Sequence, residues 1–111
     1  MGQAYSQTEW VVKEGHEEEF VQLWLEFVDW SSAQGLRAKA LLLRDIDDPL
    51  RFISFGPWEG VDAIRSWRAL PGFQERVASL HRVVDQIEPH ALEVVAESGG
   101  SQRRLRAKRS A

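Results

Sequence analysis

His81 is the side chain in this sequence best suited to accept a proton from a bound molecule. It follows Val77 by four residues and precedes Val84 by three, so a helix would place it on or beside an apolar stripe. Partial burial favours the neutral imidazole, which is the form that acts as a base at pH 7. A histidine in this position can equally bond a backbone carbonyl or water, and the sequence leaves both interpretations open.

Trp67 is the second catalytic candidate, because a helical tryptophan here could wall a cavity and orient a planar substrate. It could equally lock the helix in place beside Pro71-Gly72, which interrupts the helical pattern. Other residues could line the same cavity or simply fill the core. The predicted pocket-lining residues are Thr8, Trp10, Trp24, Phe27, Phe55, Trp58, Phe73 and Val77.

Few polar groups are expected to assist these residues. Tyr5 and Thr8 are the strand hydroxyls that we predict to be placed as hydrogen-bond donors. The basic residues of the second helical region are interpreted as a solvated face. They are Arg65, Arg68, Arg76 and Arg82.

No motif for nucleotide binding, metal-dependent hydrolysis or an activated serine occurs in the sequence. The absence of cysteine excludes disulfides, thiolate metal sites and thiol nucleophiles, and it fits a reducing compartment. No apolar stretch approaches the roughly 18 residues of a membrane span, and the N-terminus lacks the features of a signal peptide. We therefore expect a cytoplasmic protein with no metal ion and no membrane partner.

Acidic and basic residues are separated along the chain. All 17 Asp and Glu lie at or before Glu97, and with nine Lys and Arg in that span residues 1–97 carry a net charge of −8. Residues 98–111 carry +5 and begin with Ser and Gly, which predicts a basic, disordered tail after a domain of residues 1–97. Such an arm can bind nucleic acid, although a solubilising segment is the commoner use. The acidic domain itself argues against a nucleic-acid partner.

The hydrophobic pattern predicts the element order βαββαβ. Phe20, Trp24, Phe27 and Val28 recur at helical spacing after an acidic first turn, and a broken second helical region opens at Glu59-Gly60. This order is typical of an α+β, ferredoxin-like domain with a four-stranded antiparallel sheet. The predicted strands cover residues 5–13, 36–46, 51–58 and 91–96, and the predicted helical segments cover residues 17–32, 61–70 and 73–84.

The strands are apolar on both of their faces, as residues 40–43 and the side chains of Phe52, Ile53 and Phe55 show. Two helices cover only one face of a four-stranded sheet, and a solvated face would normally alternate apolar and polar residues. A large exposed apolar surface is rare on a soluble monomer. The pattern therefore predicts a homodimer in which two sheets cover each other.

Three stretches resemble the antibiotic biosynthesis monooxygenase (ABM) family. They are WVVKEGHEEEF from Trp10 to Phe20, FISFGPWEGVDAIRSW from Phe52 to Trp67, and PGF from Pro71 to Phe73. The resemblance covers residues 5–97. It implies a dimeric α/β barrel with a pocket between the sheet and the helices of each protomer.

The resemblance also implies candidate activities. The family includes oxygenases that need neither metal nor flavin, which makes a cofactor-independent monooxygenase acting on a small aromatic or polycyclic phenol or quinol with O2 the leading hypothesis. A non-catalytic ligand-binding or stress-response protein, and an isomerase or cyclase, are the alternatives. The haem-degrading pattern needs an Asn on the first strand, a Trp on the second helix and a His after it. Trp67 matches the Trp, but Thr8 and Val77 occupy the other two positions, so haem cleavage is not expected.

Overall fold

A four-stranded antiparallel sheet with helices on one face forms the body of the protein. The computed structural model describes residues 3–36 and 39–99 and the backbone of residues 102–104. The strand order in the sheet is β2-β3-β1-β4, which confirms the predicted ferredoxin-like arrangement. The elements are β1 Ala4–Val12, α1 Glu17–Ala33, β2 Leu41–Arg44, β3 Arg51–Trp58, α2 Val61–Arg68, α3 Phe73–His81, β4 Val84–Glu93, β5 Glu97–Gly99 and β6 Gln102–Arg104.

The interruption of the second helical region lies where the sequence placed it. The α2 helix ends at Arg68, and Gly72 then adopts a left-handed backbone with φ of 92° before α3 begins at Phe73. Glycine occupies such a conformation without the steric cost that a Cβ would add. The break lets α2 and α3 follow the curved surface of the sheet as two short helices.

Aspartate side chains organise the turn between β2 and β3. The Asp45 Oδ1 atom accepts hydrogen bonds from the backbone N–H groups of Asp47 at 2.8 Å and Asp48 at 3.2 Å. Asp48 in turn accepts one from the backbone N–H of Leu50 at 3.2 Å. These bonds replace backbone pairing in the turn and fix the register of the hairpin.

The last strand of the sheet was predicted in the wrong place. It begins at Val84, which the helical period had assigned to the preceding helix, and ends at Glu93 rather than at residue 96. The α3 helix stops at His81, and both Val83 and Val84 are buried in the core. Pro89 is tolerated in β4 because this strand is at the edge of the sheet.

Two other segments also differ from the prediction. The β2 strand is only four residues long, and residues 37–38 of the predicted strand lie outside the described part of the chain. Residues 97–99 pair with residues 102–104 in a two-stranded antiparallel ladder, so the predicted tail begins inside a small hairpin. The remainder of the tail is outside the described residues. None of the helices described in the structure is both long and apolar enough to cross a membrane.

Strand alternation gives the four-stranded sheet two distinct faces. The face toward the helices carries Trp10, Phe52 and Trp58, all buried. On the other face, Leu41 is 58%, Leu43 48% and Leu92 46% exposed. We call this second surface the open face; its apolar residues are Tyr5, Leu41, Leu43, Ile53, Phe55 and Leu92, as the strand register shows.

Candidate functional site

A cavity of about 220 Å³ lies between the helix-covered face of the sheet and the helices. Its lining includes Trp24 and Phe27 of the larger core cluster and Trp58 of the smaller one. Such a volume is many times the roughly 30 Å³ that a water molecule occupies. The lining is predominantly apolar, which is typical of a site for a small organic molecule.

Trp67 joins the aromatic walls of this cavity. Its ring centroid lies 4.9 Å from that of Trp58, 5.5 Å from that of Phe27 and 5.1 Å from that of Phe73. The Trp67 indole N–H donates a hydrogen bond of 2.9 Å to the Oγ of Ser31 in α1. The wall is therefore fixed both by ring packing and by a bond between two helices.

Three hydroxyl side chains form the floor of the cavity. Ser6 and Thr8 alternate along β1, and Ser54 lies directly opposite Thr8 on β3. Residues two apart on a strand share a face, so all three project toward the helices. We call Ser6, Thr8 and Ser54 the hydroxyl floor.

Two of these hydroxyls are held by tryptophan. The indole N–H of Trp10 donates to Ser54 Oγ at 2.9 Å, and that of Trp58 donates to Ser6 Oγ at 2.9 Å. Ser54 is only 7% exposed. These bonds satisfy both indole groups and fix the positions of the two oxygen atoms.

The charged residues that border the cavity are both basic. Lys39 is exposed and Arg68 is half-buried. We call this pair the cationic rim. No Asp, Glu, His or Tyr is found among the described residues that line the cavity. The site therefore favours bound groups that carry negative charge or accept hydrogen bonds.

Residues 5–79 match the sequence profile described as antibiotic biosynthesis monooxygenase. The chain belongs to this family. No curated protein matches the chain.

Solved structures of similar fold agree with this assignment of the ABM fold. SnoaB, a cofactor-independent oxygenase from Streptomyces nogalater, is 19% identical, with a TM-score of 0.77 over 92% of this chain and 100% of that one. A proposed antibiotic biosynthesis monooxygenase from Bordetella bronchiseptica is 22% identical, with a TM-score of 0.73 over 86% and 99% of the two chains. A conserved protein from Methanosarcina mazei is 14% identical, with a TM-score of 0.71 over 84% and 93%. At these identities the likeness concerns the fold.

The ABM fold brings the predicted pocket residues together. All eight of them border the cavity, and so does Trp67. Phe55 is unusual because its ring centroid lies 6.4 Å from that of Tyr5, on the open face, while the residue still borders the cavity. Whether these residues bind a ligand stays a prediction.

The structure does not bring His81 to this cavity. His81 is the last residue of α3, is exposed to solvent and is absent from the cavity lining. The expectation of a partly buried ring on the apolar stripe is wrong, because Leu80 takes the inward position at the end of α3. A catalytic role for His81 stays a prediction that the geometry does not support.

Sequence reasoning missed several polar residues of the site. It named Tyr5 as a donor, but Tyr5 lies on the open face, whereas Ser6 and Ser54 reach the cavity. It assigned Arg68 to a solvated face, although Arg68 borders the cavity. The signal for Ser6 was present, because it precedes Thr8 and Trp10 at the period of a strand.

Another polar cluster lies on the other side of the sheet. Glu9, Glu88 and His90 place one ligand atom each within 4.8 Å of one another. The Arg51 Nη2 atom is 2.7 Å from Glu9 Oε1, so this carboxylate already has a cationic partner. The cluster shares the side of the open face, and the sheet separates it from the cavity.

Proposed function

We propose that this protein is a cofactor-independent monooxygenase that oxidises a small aromatic or polycyclic phenol or quinol with O2. One observation carries the proposal: an aromatic cavity that has a hydroxyl floor and a cationic rim. Membership of the ABM family and the likeness to SnoaB, itself a cofactor-independent oxygenase, support the same reaction class.

The chemistry requires an electron-rich substrate anion, since such an anion can transfer electrons to O2 directly. In a monooxygenation of this type the substrate loses two hydrogens, at least one of them from the carbon that gains one oxygen atom. The second oxygen atom leaves as water, so the substrate supplies all the electrons and O2 is the only oxidant. The protein then has to bind, orient and deprotonate the substrate.

The residues of the cavity match these tasks. The ring of Trp67 and its neighbours present flat apolar surfaces to a planar substrate and exclude water. Arg68 and Lys39 stabilise a phenolate or enolate at the entrance, which lowers the cost of losing the proton. Because no carboxylate or imidazole lies among the described lining residues, water is the proton acceptor that fits this site.

We propose that the active form is a homodimer joined through the open face. Leu41, Leu43 and Leu92 are about half exposed there, and the helices pack against the opposite face. A twofold contact would bury these side chains against their own counterparts. The dimeric barrel that the family resemblance implies has this geometry.

An oxygen-uptake assay tests the oxygenase proposal. Metal-free protein is mixed with a panel of anthrones and quinols, and O2 consumption is compared with product formed. We expect one O2 per product and about 10-fold slower turnover in Arg68→Gln, because one stabilising cation is lost. Arg65→Gln is the matched control, since Arg65 lies on the same helix, is exposed and is not among the described residues that line the cavity. Substrate conversion without O2 consumption would instead indicate an isomerase or cyclase.

A non-catalytic ligand-binding protein is the second candidate, and the lack of a carboxylate or imidazole among the described lining residues favours it. It predicts saturable binding of the same aromatic compounds with no O2 consumed above the rate without protein. Stoichiometric O2 uptake that depends on the protein would exclude this candidate.

A further inference from the structure

We propose that Ser6 and Ser54 select the ligand, acting as hydrogen-bond donors for acceptor oxygens on a planar aromatic anion. Trp10 and Trp58 are the positioning residues that impose this donor role. The inference rests on the proposed function and deepens it by naming the residues of the same cavity that recognise the substrate oxygens.

Each serine hydroxyl has one O–H donor and two lone pairs that accept. In Ser54 the Trp10 indole N–H occupies a lone pair, and in Ser6 the Trp58 indole does the same. A free hydroxyl can rotate to donate or to accept. Once an indole N–H is fixed on the oxygen, the O–H must turn away from that donor. The tryptophans therefore orient both hydroxyls, because each O–H points away from its indole while one lone pair of each oxygen stays open.

The donor capacity of both serines is unused within the protein. Among residues 3–36 and 39–99, no acceptor takes a hydrogen bond from the hydroxyl of Ser6 or Ser54. Because Ser54 is only 7% exposed and borders the cavity, its O–H can donate to a molecule inside the cavity, either water or a bound ligand.

Ser31 shows what a purely structural serine looks like in the same lining. It also accepts from a tryptophan, through the 2.9 Å bond from Trp67, but its own O–H donates to the backbone oxygen of Phe27 at 2.9 Å. Its hydrogen-bonding capacity is thus used inside the protein. Ser6 and Ser54 differ from Ser31 because Ser31 already donates its O–H to a backbone oxygen and serves only to accept from an indole.

The remaining polar groups of the cavity point to the same ligand chemistry. Lys39 and Arg68 can only donate, and no carboxylate lies among the described lining residues. Thr8 lies directly opposite Ser54, which places their Cβ atoms about 5 Å apart. Two neighbouring hydroxyls and a cationic rim suit an aromatic ring with acceptor oxygens and a delocalised negative charge, such as a hydroxyquinone anion or a phenolate.

Ligand binding without oxygen tests the inference. Titration calorimetry under nitrogen compares the anion of hydroxynaphthoquinone with naphthalene, which has the same ring system and no oxygen. We expect Ser54→Ala and Ser6→Ala each to weaken binding of the anion about 10-fold and to leave naphthalene binding unchanged. Ser32→Ala, an exposed serine on α1, is the control and should bind both as the wild type does.

Trp10→Phe and Trp58→Phe test the positioning role. Each keeps an aromatic ring and removes the N–H that orients one serine. We expect the Kd for naphthalene divided by the Kd for the hydroxynaphthoquinone anion to fall, because only binding of the anion is weakened. A cavity that is merely loosened would weaken binding of both ligands equally. Thermal unfolding checks that each variant is folded. If a tryptophan variant does not fold, the serine variants still test the proposal.

The inference is overturned if the wild type binds both compounds equally or binds neither, or if both serine variants keep the wild-type preference. Absence of O2 uptake together with a preference that depends on Ser6 and Ser54 would remove the oxygenase proposal and leave this one intact.

Discussion

The indole N–H of Trp67 in α2 donates to the Oγ of Ser31 in α1 at 2.9 Å, which ties the broken second helix to the long first helix. Ser31 is 2% exposed and belongs to the wall side of the cavity. Trp67 is therefore both a residue that packs in the core and a fixed part of the wall of the candidate site.

Loss of this bond should cost stability. Trp67→Phe keeps ring packing against Phe27 and Phe73 but removes the N–H, and we expect the free energy of unfolding to fall by about 1 kcal/mol. A double-mutant cycle with Ser31→Ala, measured by urea unfolding, should give a coupling energy of similar size. Additive effects of the two substitutions would show that the bond contributes nothing.

Gly56 should not tolerate a side chain. A Cβ there would collide with the backbone oxygen of Lys39 and come within 3.2 Å of the Ala40 Cα, so the segment that borders the cavity would have to move. We expect Gly56→Ala to lower the free energy of unfolding by about 2 kcal/mol and to weaken aromatic ligand binding. Gly99→Ala is the control, because no residue in the described part of the chain lies within 4 Å of its Cβ position. Wild-type affinity in Gly56→Ala would contradict this account of the cavity wall.

A carboxylate introduced on the open face should dissociate the proposed homodimer into monomers. Leu43→Asp would bury a carboxylate in the twofold contact, and we expect sedimentation to show a monomer at micromolar concentration. Leu25→Asp is matched to it, since Leu25 is 46% exposed against 48% for Leu43 but lies on α1. A wild-type protein that sediments as a monomer at this concentration would refute the dimer.

His81→Ala distinguishes two expectations for His81: the sequence predicts a catalytic base, whereas the structure places this residue outside the cavity. Because His81 is exposed and outside the cavity lining, we expect ligand affinity and O2 uptake to equal those of the wild type. The measurement is the initial rate of O2 consumption by the variant and by the wild type with the same substrate at the same pH. A large loss of turnover in a folded His81→Ala variant would restore His81 as a catalytic residue.

The hydrophobic period alone determined the element order of this ABM domain and most of its pocket lining. Strand residues two apart share a face, and helix residues three or four apart share a stripe, so local spacing is enough to assign Trp10 and Trp24 to the interior. Turn-forming residues determined where the elements end: Pro71-Gly72 lies at the break between α2 and α3, and aspartates lie in the turn between β2 and β3.

Tertiary structure alone decided which groups meet across the sheet and between helices. Trp10 and Ser54 are 44 residues apart, and Trp58 and Ser6 are 52 apart, so no local pattern shows that each indole finds a serine. The end of α3 was set by the burial of Leu80, Val83 and Val84, which turned His81 outward and started β4 early. Local spacing specifies which face a side chain takes, while strand register and core packing specify its partner.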